Sequence, residues 1–258
     1  MQQSSVEFSI ILPAFNEAPA VLQVLRSHHE VLARLYRSFE ILVIDDASTD
    51  DTAKLVEVCK SELPSVRMHR NERNLGQAGS LKVGFRLAQG EVVMHNAFDL
   101  PFSPDDIRLV KEACDTGADV VVVERTSRGA YGLTRRVISH ANVVLLRALF
   151  MCPVRDYNFV QAYRRSVLAS IEARSTAAGS VTPELIVRAR RAGFRVETIA
   201  ATYHGRRLGR STVNAKTVVA SLAQTLALFR LLRAAPPDVR KATQLEARET
   251  SDRVQARP

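Results

Sequence analysis

The sequence predicts an α/β fold: a doubly wound, mostly parallel sheet of the Rossmann-like kind, with helices on both faces and a C-terminal amphipathic helix. Three observations carry that expectation. Short apolar runs alternate with longer segments of helical periodicity over the first half of the chain. The connections between the apolar runs are helix-length, as parallel neighbours require. Several runs are almost continuously apolar, as strands buried on both faces must be.

Taken in order, residues 6–13 (VEFSIILP) form a strand-like run that ends at a proline. Residues 18–35 repeat apolar side chains at helical spacing through Val21, Leu25, Leu32 and Leu35. Residues 39–46 (FEILVIDD) read as a buried parallel strand. Residues 48–63 open with capping and acidic residues and continue as a helical stripe. Strand signals at 65–71, 91–97 and 118–125 alternate with helix signals at 79–90 and 103–117. Ligands of such sheets bind beyond the carboxyl ends of the strands. There the chain places "PAFNE", "DDAS", "NAFD" and "ERTS".

From about residue 133 the pattern changes. Residues 133–150 predict a long helix, 182–192 another helix, and 194–205 a further strand. In residues 214–235, Val218, Leu222, Leu226 and Phe229 share one helical face. The charge-free core of that helix, 217–229, is shorter than the ~20 apolar residues a bilayer span needs. Two readings stay open for it. It lies in a membrane interface with Lys216, Arg230 and Arg233 among the head groups, or it packs on its own domain or a second subunit. After residues 236–238 the tail is polar, charged and free of aromatics, a composition that predicts mobility. The expected divisions are a domain at 1–213, the helix at 214–235 and a tail at 236–258.

With 258 residues, 46% hydrophobic and 24% charged, the chain has the composition of a soluble globular protein. Cys59, Cys114 and Cys152 form no CxxC pair and read as reduced thiols. No basic, apolar and small-residue sequence of a secretory signal is present, so a cytoplasmic protein is expected. A net charge of +9 calls for an anionic partner. No zinc-finger spacing, recognition helix or aromatic-basic signature directs that charge to nucleic acid. No Ser-His-Asp array or His/Cys metal spacing points to another enzyme class.

"ILPAFNE", "VIDDASTDDT" and "NLGQAGSLKVGFRLAQG", in this order and at these intervals, resemble a family 2 glycosyltransferase of the GT-A fold. "VVVERTSRG", "TRRVISHANVVLLRALF", "AYRRSVL" and "YHGRRLGRS" narrow the resemblance to the dolichol-phosphate mannosyltransferase-like, polyprenyl-phosphate branch, over roughly residues 6–213. The resemblance implies a nucleotide cleft lined by Pro13, Phe15 and Glu17, with the pair Asp45 and Asp46 on the base. A carboxylate at a strand end can accept base and ribose N–H and O–H groups. Read without that resemblance, Asp45, Asp46 and Ser48 cap the next helix. The resemblance also implies an acceptor phosphate gripped by Arg125, by Arg135 with Ser139, and by Arg206; Arg136 and Arg207 are the adjacent registers. Guanidinium forks suit phosphate oxygens.

One signature departs from the family. Its fourth strand ends in Asp-x-Asp, and "LPFSPDDI" aligns Asp99 with the second aspartate and Ala97 with the first. A hard cation, Mg²⁺ or Mn²⁺, then has Asp99 as its one motif carboxylate. Three accounts follow. Asp99 with diphosphate oxygens, water and Asn96 holds the cation; or His95 and Asn96 form a relocated pair, of which alternation lets only one face the cleft; or arginines replace the metal. Without the resemblance, Asp99 simply caps the turn at Pro101. Further departures sit at Asn158–Gln161, where the family has Ser-Gly-Phe-Arg, and at Thr212, where a lysine is common.

The expected activity is inverting transfer of a sugar from a nucleotide donor to a phosphorylated, polyprenyl-type acceptor at the cytoplasmic membrane face. Asp99, Arg125, Arg135 and Asp156 are the expected catalytic groups, Asp156 being the candidate base for a hydroxyl acceptor. A transferase for a soluble or natural-product acceptor and a non-catalytic nucleotide-sugar-binding protein are the competing readings.

Overall fold

The computed structural model describes residues 6–100, 102–126, 144, 149–150, 154–177, 179–202 and 215–234. Among these residues seven strands form one sheet: β1 (Phe8–Ala14), β2 (Phe39–Asp45), β3 (Val66–Arg70), β4 (Val92–His95), β5 (Val120–Arg125), β6 (Val160–Arg164) and β7 (Val196–Ala201). Their order across the sheet is β3-β2-β1-β4-β6-β5-β7. All neighbours run parallel except β6, which is antiparallel to both β4 and β5. The mostly parallel, doubly wound sheet is as the sequence predicts. The helices are α1 (Val21–Leu35), α2 (Thr52–Glu62), α3 (Gly76–Leu87), α4 (Ile107–Asp115), α5 (Arg165–Ser170), α6 (Val181–Arg191) and α7 (Ala215–Ala234).

The continuous apolar runs are explained by the two covered faces. Along β1, Ile10 and Leu12 pack in a cluster with Val24, Leu25 and Leu32 of α1. Ile11 between them packs on the opposite face with Val83 of α3. The period of two thus serves two cores at once. On the α3 face the approach is close. A Cβ on Gly84 would lie 2.4 Å from Ile11 Cγ2, so glycine lets the helix settle on β1.

The sequence patterns do not reveal β6. Its five residues include Gln161 and Arg164, which break an already short apolar run. Tertiary contacts settle it: Met94 pairs with Ala162, Val121 with the same residue from the other side, and Gln161 is fully buried. The helix expected at 133–150 falls almost wholly outside the described residues.

The C-terminal helix forms at Ala215–Ala234, and its second half docks on the protein. Leu228 and Leu232 enter the core cluster of Leu185 and Ile186 from α6, and Phe229 meets Phe150 at 6.2 Å. Arg191 of α6 donates to Leu232 O at 2.8 Å. Leu226, expected on the same face as Phe229, is instead 46% exposed. The docked face is rotated from the expected one because the buried residues are Thr225, Leu228 and Leu232, spaced three and four apart, and the two leucines join the α6 cluster. Among the described residues no helix is long and apolar enough to cross a membrane.

Candidate functional site

A cleft of about 760 Å³ opens beyond the carboxyl ends of β1, β2 and β4, walled by the start of α1 and the first turns of α3. Pro13, Phe15, Glu17, Asp46 and Asp99 all border it. Sequence distance is no obstacle here, because parallel strands deliver their ends to one edge.

The β1–α1 loop is laced to the β2–α2 loop. Asn16 N–H donates to Ser48 Oγ at 3.0 Å, Thr49 N–H to Asn16 Oδ1 at 2.8 Å, and Glu17 N–H to Thr52 Oγ1 at 2.8 Å. Asp50 accepts from Ala18 N–H at 3.2 Å and from Thr52 N–H at 3.0 Å, so Asp50 bridges the loops and also closes the start of α2. Two non-glycine residues of these loops take left-handed backbone angles, Asn16 at φ 57° and Ala47 at φ 60°. A third, Leu100 at φ 46°, lies in the turn after β4. All three sit at the cleft edge of the sheet, where such strain costs about 1–3 kcal/mol each. The Phe15 ring is 47% exposed at the cleft rim, where a flat apolar face is available for stacking.

The two aspartates after β2 have different fates. Asp45 is fully buried and does not border the cleft. Its Oδ1 accepts from Ser48 N–H at 3.1 Å and its Oδ2 lies 3.2 Å from Arg70 Nε, an ion pair without hydrogen-bond geometry. Asp46 does border the cleft. Its Oδ1 accepts from Asn71 Nδ2 and Leu75 N–H, and its Oδ2 from Gly76 N–H, each at 2.8 Å. Asp46 therefore caps α3 rather than α2, satisfying amides that begin the helix. Gly76 takes φ +70° there, which suits glycine. A carboxylate has about four lone-pair sites, so Asp46 keeps capacity for one more donor.

At the end of β4, His95 and Asn96 both border the cleft, although strand alternation leads one to expect only one of them. The strand stops at His95, so alternation no longer governs Asn96. His95 Nε2 lies 2.7 Å from Gln161 Oε1, and Gln161 Nε2 donates to Tyr157 O at 3.1 Å. That second bond orients the amide, so His95 Nε2 donates and Nδ1 keeps a lone pair. Burial lowers the His95 pKa and keeps the ring neutral. His28 of α1 is wholly buried, and burial lowers its pKa to about 4. Ala97 and Asp99 follow in a turn closed by Leu100 N–H to Ala97 O at 3.1 Å. Among the described residues no group of three or more His, Cys, Asp or Glu side chains could hold a metal ion.

At the end of β5, Arg125 forks onto Asp156: Nε to Oδ2 at 2.5 Å and Nη2 to Oδ1 at 3.0 Å. The guanidinium lies over the Phe159 ring, 5.0 Å from its centroid. Glu124 holds the same turn through Arg155 N–H at 2.7 Å. Arg135, Ser139 and Arg206, with Arg136, Arg207, Pro101 and Thr212, lie outside the described residues.

Some contributors were not singled out from sequence. Gln77 and Ser80 of α3 border the cleft, and Gln161 orients His95 from the unpredicted β6. Arg188, which opens the arginine-rich run RARRAGFR, is buried against Glu184 at 3.0 Å. Glu184 also accepts from the backbone N–H groups of Arg174 and Ser175, tying α6 to the preceding loop.

Comparison with known proteins gives this cleft its context. The chain is 34% identical over 164 residues to an undecaprenyl-phosphate 4-deoxy-4-formamido-L-arabinose transferase of Pseudomonas fluorescens (strain Pf0-1), covering 62% of this chain and 47% of the relative. To the protein of that name from Klebsiella pneumoniae (strain 342) it is 31% identical over 162 residues, 62% of this chain and 49% of the relative. The chain thus spans about half the length of these curated relatives. Glucosyl-3-phosphoglycerate synthase from Mycobacterium tuberculosis, solved with UDP, superposes with a TM-score of 0.64 at 19% identity, over 87% of this chain and 80% of that one. The mannosyltransferase PcManGT from Pyrobaculum calidifontis, solved with GDP-Man and Mn²⁺, gives 0.64 at 20% identity, over 91% and 66%. These likenesses establish the GT-A-type fold. The family model for glycosyl transferase family 2 matches residues 9–178, from β1 through the cleft walls to the loop before α6, and the chain belongs to that family.

Proposed function

We propose that this protein transfers a sugar, with inversion, from a nucleotide-diphosphate donor to a polyprenyl-phosphate acceptor. The carrying observation is the convergence of Phe15, Asp46 and Asp99 on one cleft at the carboxyl edge of a parallel sheet. The rim aromatic suits a base, and the spare lone pair of Asp46 suits a base or ribose donor. Asp99 stands where a diphosphate would cross the end of β4. The curated relatives named above supply the acceptor class, a lipid phosphate, and the +9 charge agrees with a doubly anionic substrate pair.

A divalent cation fits this site with few protein ligands. Asp99 supplies a carboxylate, and Asn96 has a buried amide oxygen that lacks a hydrogen-bond partner. When bound, Mg²⁺ or Mn²⁺ would neutralise charge on the departing nucleoside diphosphate. The remaining work falls to the chain. Phe15 and Asp46 seat the nucleotide, while Arg125, with Arg135, Ser139 and Arg206, holds the acceptor phosphate in line. An acceptor phosphate is already anionic at neutral pH, so positioning supplies much of the rate and no strong base is needed. Asp156 acts on this reading through Arg125, with both of its oxygens on the guanidinium. The α7 helix packs on its own domain through Leu228 and Leu232, and a peripheral contact with the cytoplasmic membrane face would fall to the side that leaves Leu226 exposed.

Calorimetric titration with UDP and with GDP, each in Mg²⁺, Mn²⁺ and EDTA, tests the donor half. Transfer to undecaprenyl phosphate in vesicles, against a soluble phosphorylated acceptor, tests the other. Binding of one nucleotide with transfer only to the lipid phosphate supports the proposal. Binding without transfer to any acceptor would leave a nucleotide-sugar-binding protein.

A further inference from the structure

This inference rests on the donor reading above and concerns one atom. Asn96 is 3% exposed and borders the cleft. Its backbone N–H donates to Ile11 O at 3.0 Å, which fixes the residue at the end of β4. Its Nδ2 donates to Phe102 O at 3.1 Å and lies 3.3 Å from His28 Nε2. His28 decides how the amide faces. Its Nδ1 is 2.8 Å from Val24 O, which only accepts, so Nδ1 carries the proton and Nε2 offers a lone pair. Flipping the Asn96 amide would set its oxygen against a carbonyl and a lone pair together. Oδ1 is therefore the remaining atom, and it is buried without a hydrogen-bond partner. An amide oxygen left so costs about 1–3 kcal/mol, and such an atom at a cleft calls for an explanation.

We propose that Asn96 Oδ1 is a neutral oxygen ligand for a divalent cation that enters with the donor diphosphate, the second protein ligand beside Asp99. Hard cations take amide carbonyl oxygens as well as carboxylates. Ala97, the next residue, also borders the cleft and carries no competing ligand atom on its side chain. Asp99 borders the same cleft, in a turn fixed by the Ala97–Leu100 bond and the left-handed Leu100. One carboxylate and one amide bind a cation weakly, because one negative charge replaces two. The diphosphate must complete the shell, so the cation binds with the nucleotide and not ahead of it.

Mn²⁺ binding to the full chain, followed by electron paramagnetic resonance with no nucleotide, with UDP and with GDP, tests this. The wild type should bind Mn²⁺ at least about 10-fold more tightly with the matching nucleotide than alone. Asn96→Ala should weaken the Mn²⁺–nucleotide complex by about 10-fold or more while leaving nucleotide binding in EDTA unchanged; Asn96→Asp should strengthen it. Either variant binding the complex as the wild type does would overturn the inference. A second readout needs no variant. Mg²⁺ with nucleotide should shift the Asn96 side-chain ¹⁵N amide resonance, because coordination of Oδ1 polarises the amide; an unmoved resonance would overturn the proposal even if the variants fail to fold. Nucleotide binding with Asn96 indifferent removes this inference alone. Loss of nucleotide binding in every condition removes the donor reading too.

Discussion

Arg125 and Asp156 are joined by a two-point fork at the end of β5, 2.5 Å from Nε to Oδ2 and 3.0 Å from Nη2 to Oδ1. The side chains are 18% and 5% exposed, so the pair sits between the buried and the solvated regimes. Removing one partner of a well-buried pair costs about 3–5 kcal/mol, while exposed pairs give about 0–1. Asp156→Ala is expected to lower stability by roughly 2–3 kcal/mol, read from urea unfolding. Asp156→Asn, which keeps one acceptor for the guanidinium, should lose less. On the proposed function both variants raise KM for the acceptor phosphate more than they lower kcat. A kcat loss with unchanged KM would point to Asp156 as a base instead.

Asp46 gives a second prediction. Asn71 Nδ2 and the amides of Leu75 and Gly76 all donate to its buried carboxylate, although Asn71 Nδ2 also reaches Ser80 Oγ and Gly76 N–H also reaches Asn74 Oδ1. Hydrogen bonds to a charged group contribute about 1.5–3 kcal/mol each, and neighbours on one group are not additive. Asp46→Ala should therefore destabilise the fold by about 3 kcal/mol, and faster hydrogen exchange should concentrate in the first turn of α3. Unchanged stability with lost nucleotide binding would instead assign Asp46 to the ligand alone.

Burial of His28 makes stability depend on pH. Its folded-state pKa is lowered from 6.5 to about 4. The unfolded chain then binds the proton first, so this contribution is complete above pH about 6.5 and is lost as pH falls from there towards about 4. A shift of that size corresponds to roughly 3 kcal/mol. His28→Gln, which can still meet Asn96, is expected to flatten the fall in unfolding free energy across that window. An identical pH profile in the variant would show that His28 is not its source.

Ala97→Asp restores the absent carboxylate in the turn that carries Asp99. The nucleotide complex of this variant should bind Mn²⁺ more tightly by about 10-fold or more, and it should hold Mn²⁺ without nucleotide as well. Addition of EDTA should then impair nucleotide binding more severely than in the wild type. If affinity does not change, the turn is not where the cation sits.

The fold was legible because buried parallel strands advertise themselves as nearly continuous apolar runs, as β1, β2, β4 and β5 do. β6 was not, since Gln161 and Arg164 gain their place from His95 and from the carbonyls of Ala118 and Cys114, all distant in sequence. The cleft residues Phe15, Glu17, Asp46 and Asp99 could be located because they follow strand ends. Asp45 shows the limit: two adjacent aspartates look alike in sequence, yet the backbone sends one into the cleft and the other onto Arg70. The His28–Asn96 contact joins residues 68 apart and left no periodic trace.

The left-handed backbone angles of Asn16, Ala47 and Leu100 bear on how this protein could be engineered. Replacing Ala47 or Leu100 by glycine removes a steric penalty, which raises native stability, but it also frees the unfolded chain and loosens the loops that set the cleft's width. Heat tolerance and catalytic geometry therefore draw on the same residues in opposite directions. A search for hardier variants would do better at the far edge of the sheet, around Glu40 and Ser9, where the buried carboxylate and hydroxyl already bond at 2.6 Å and no substrate need pass.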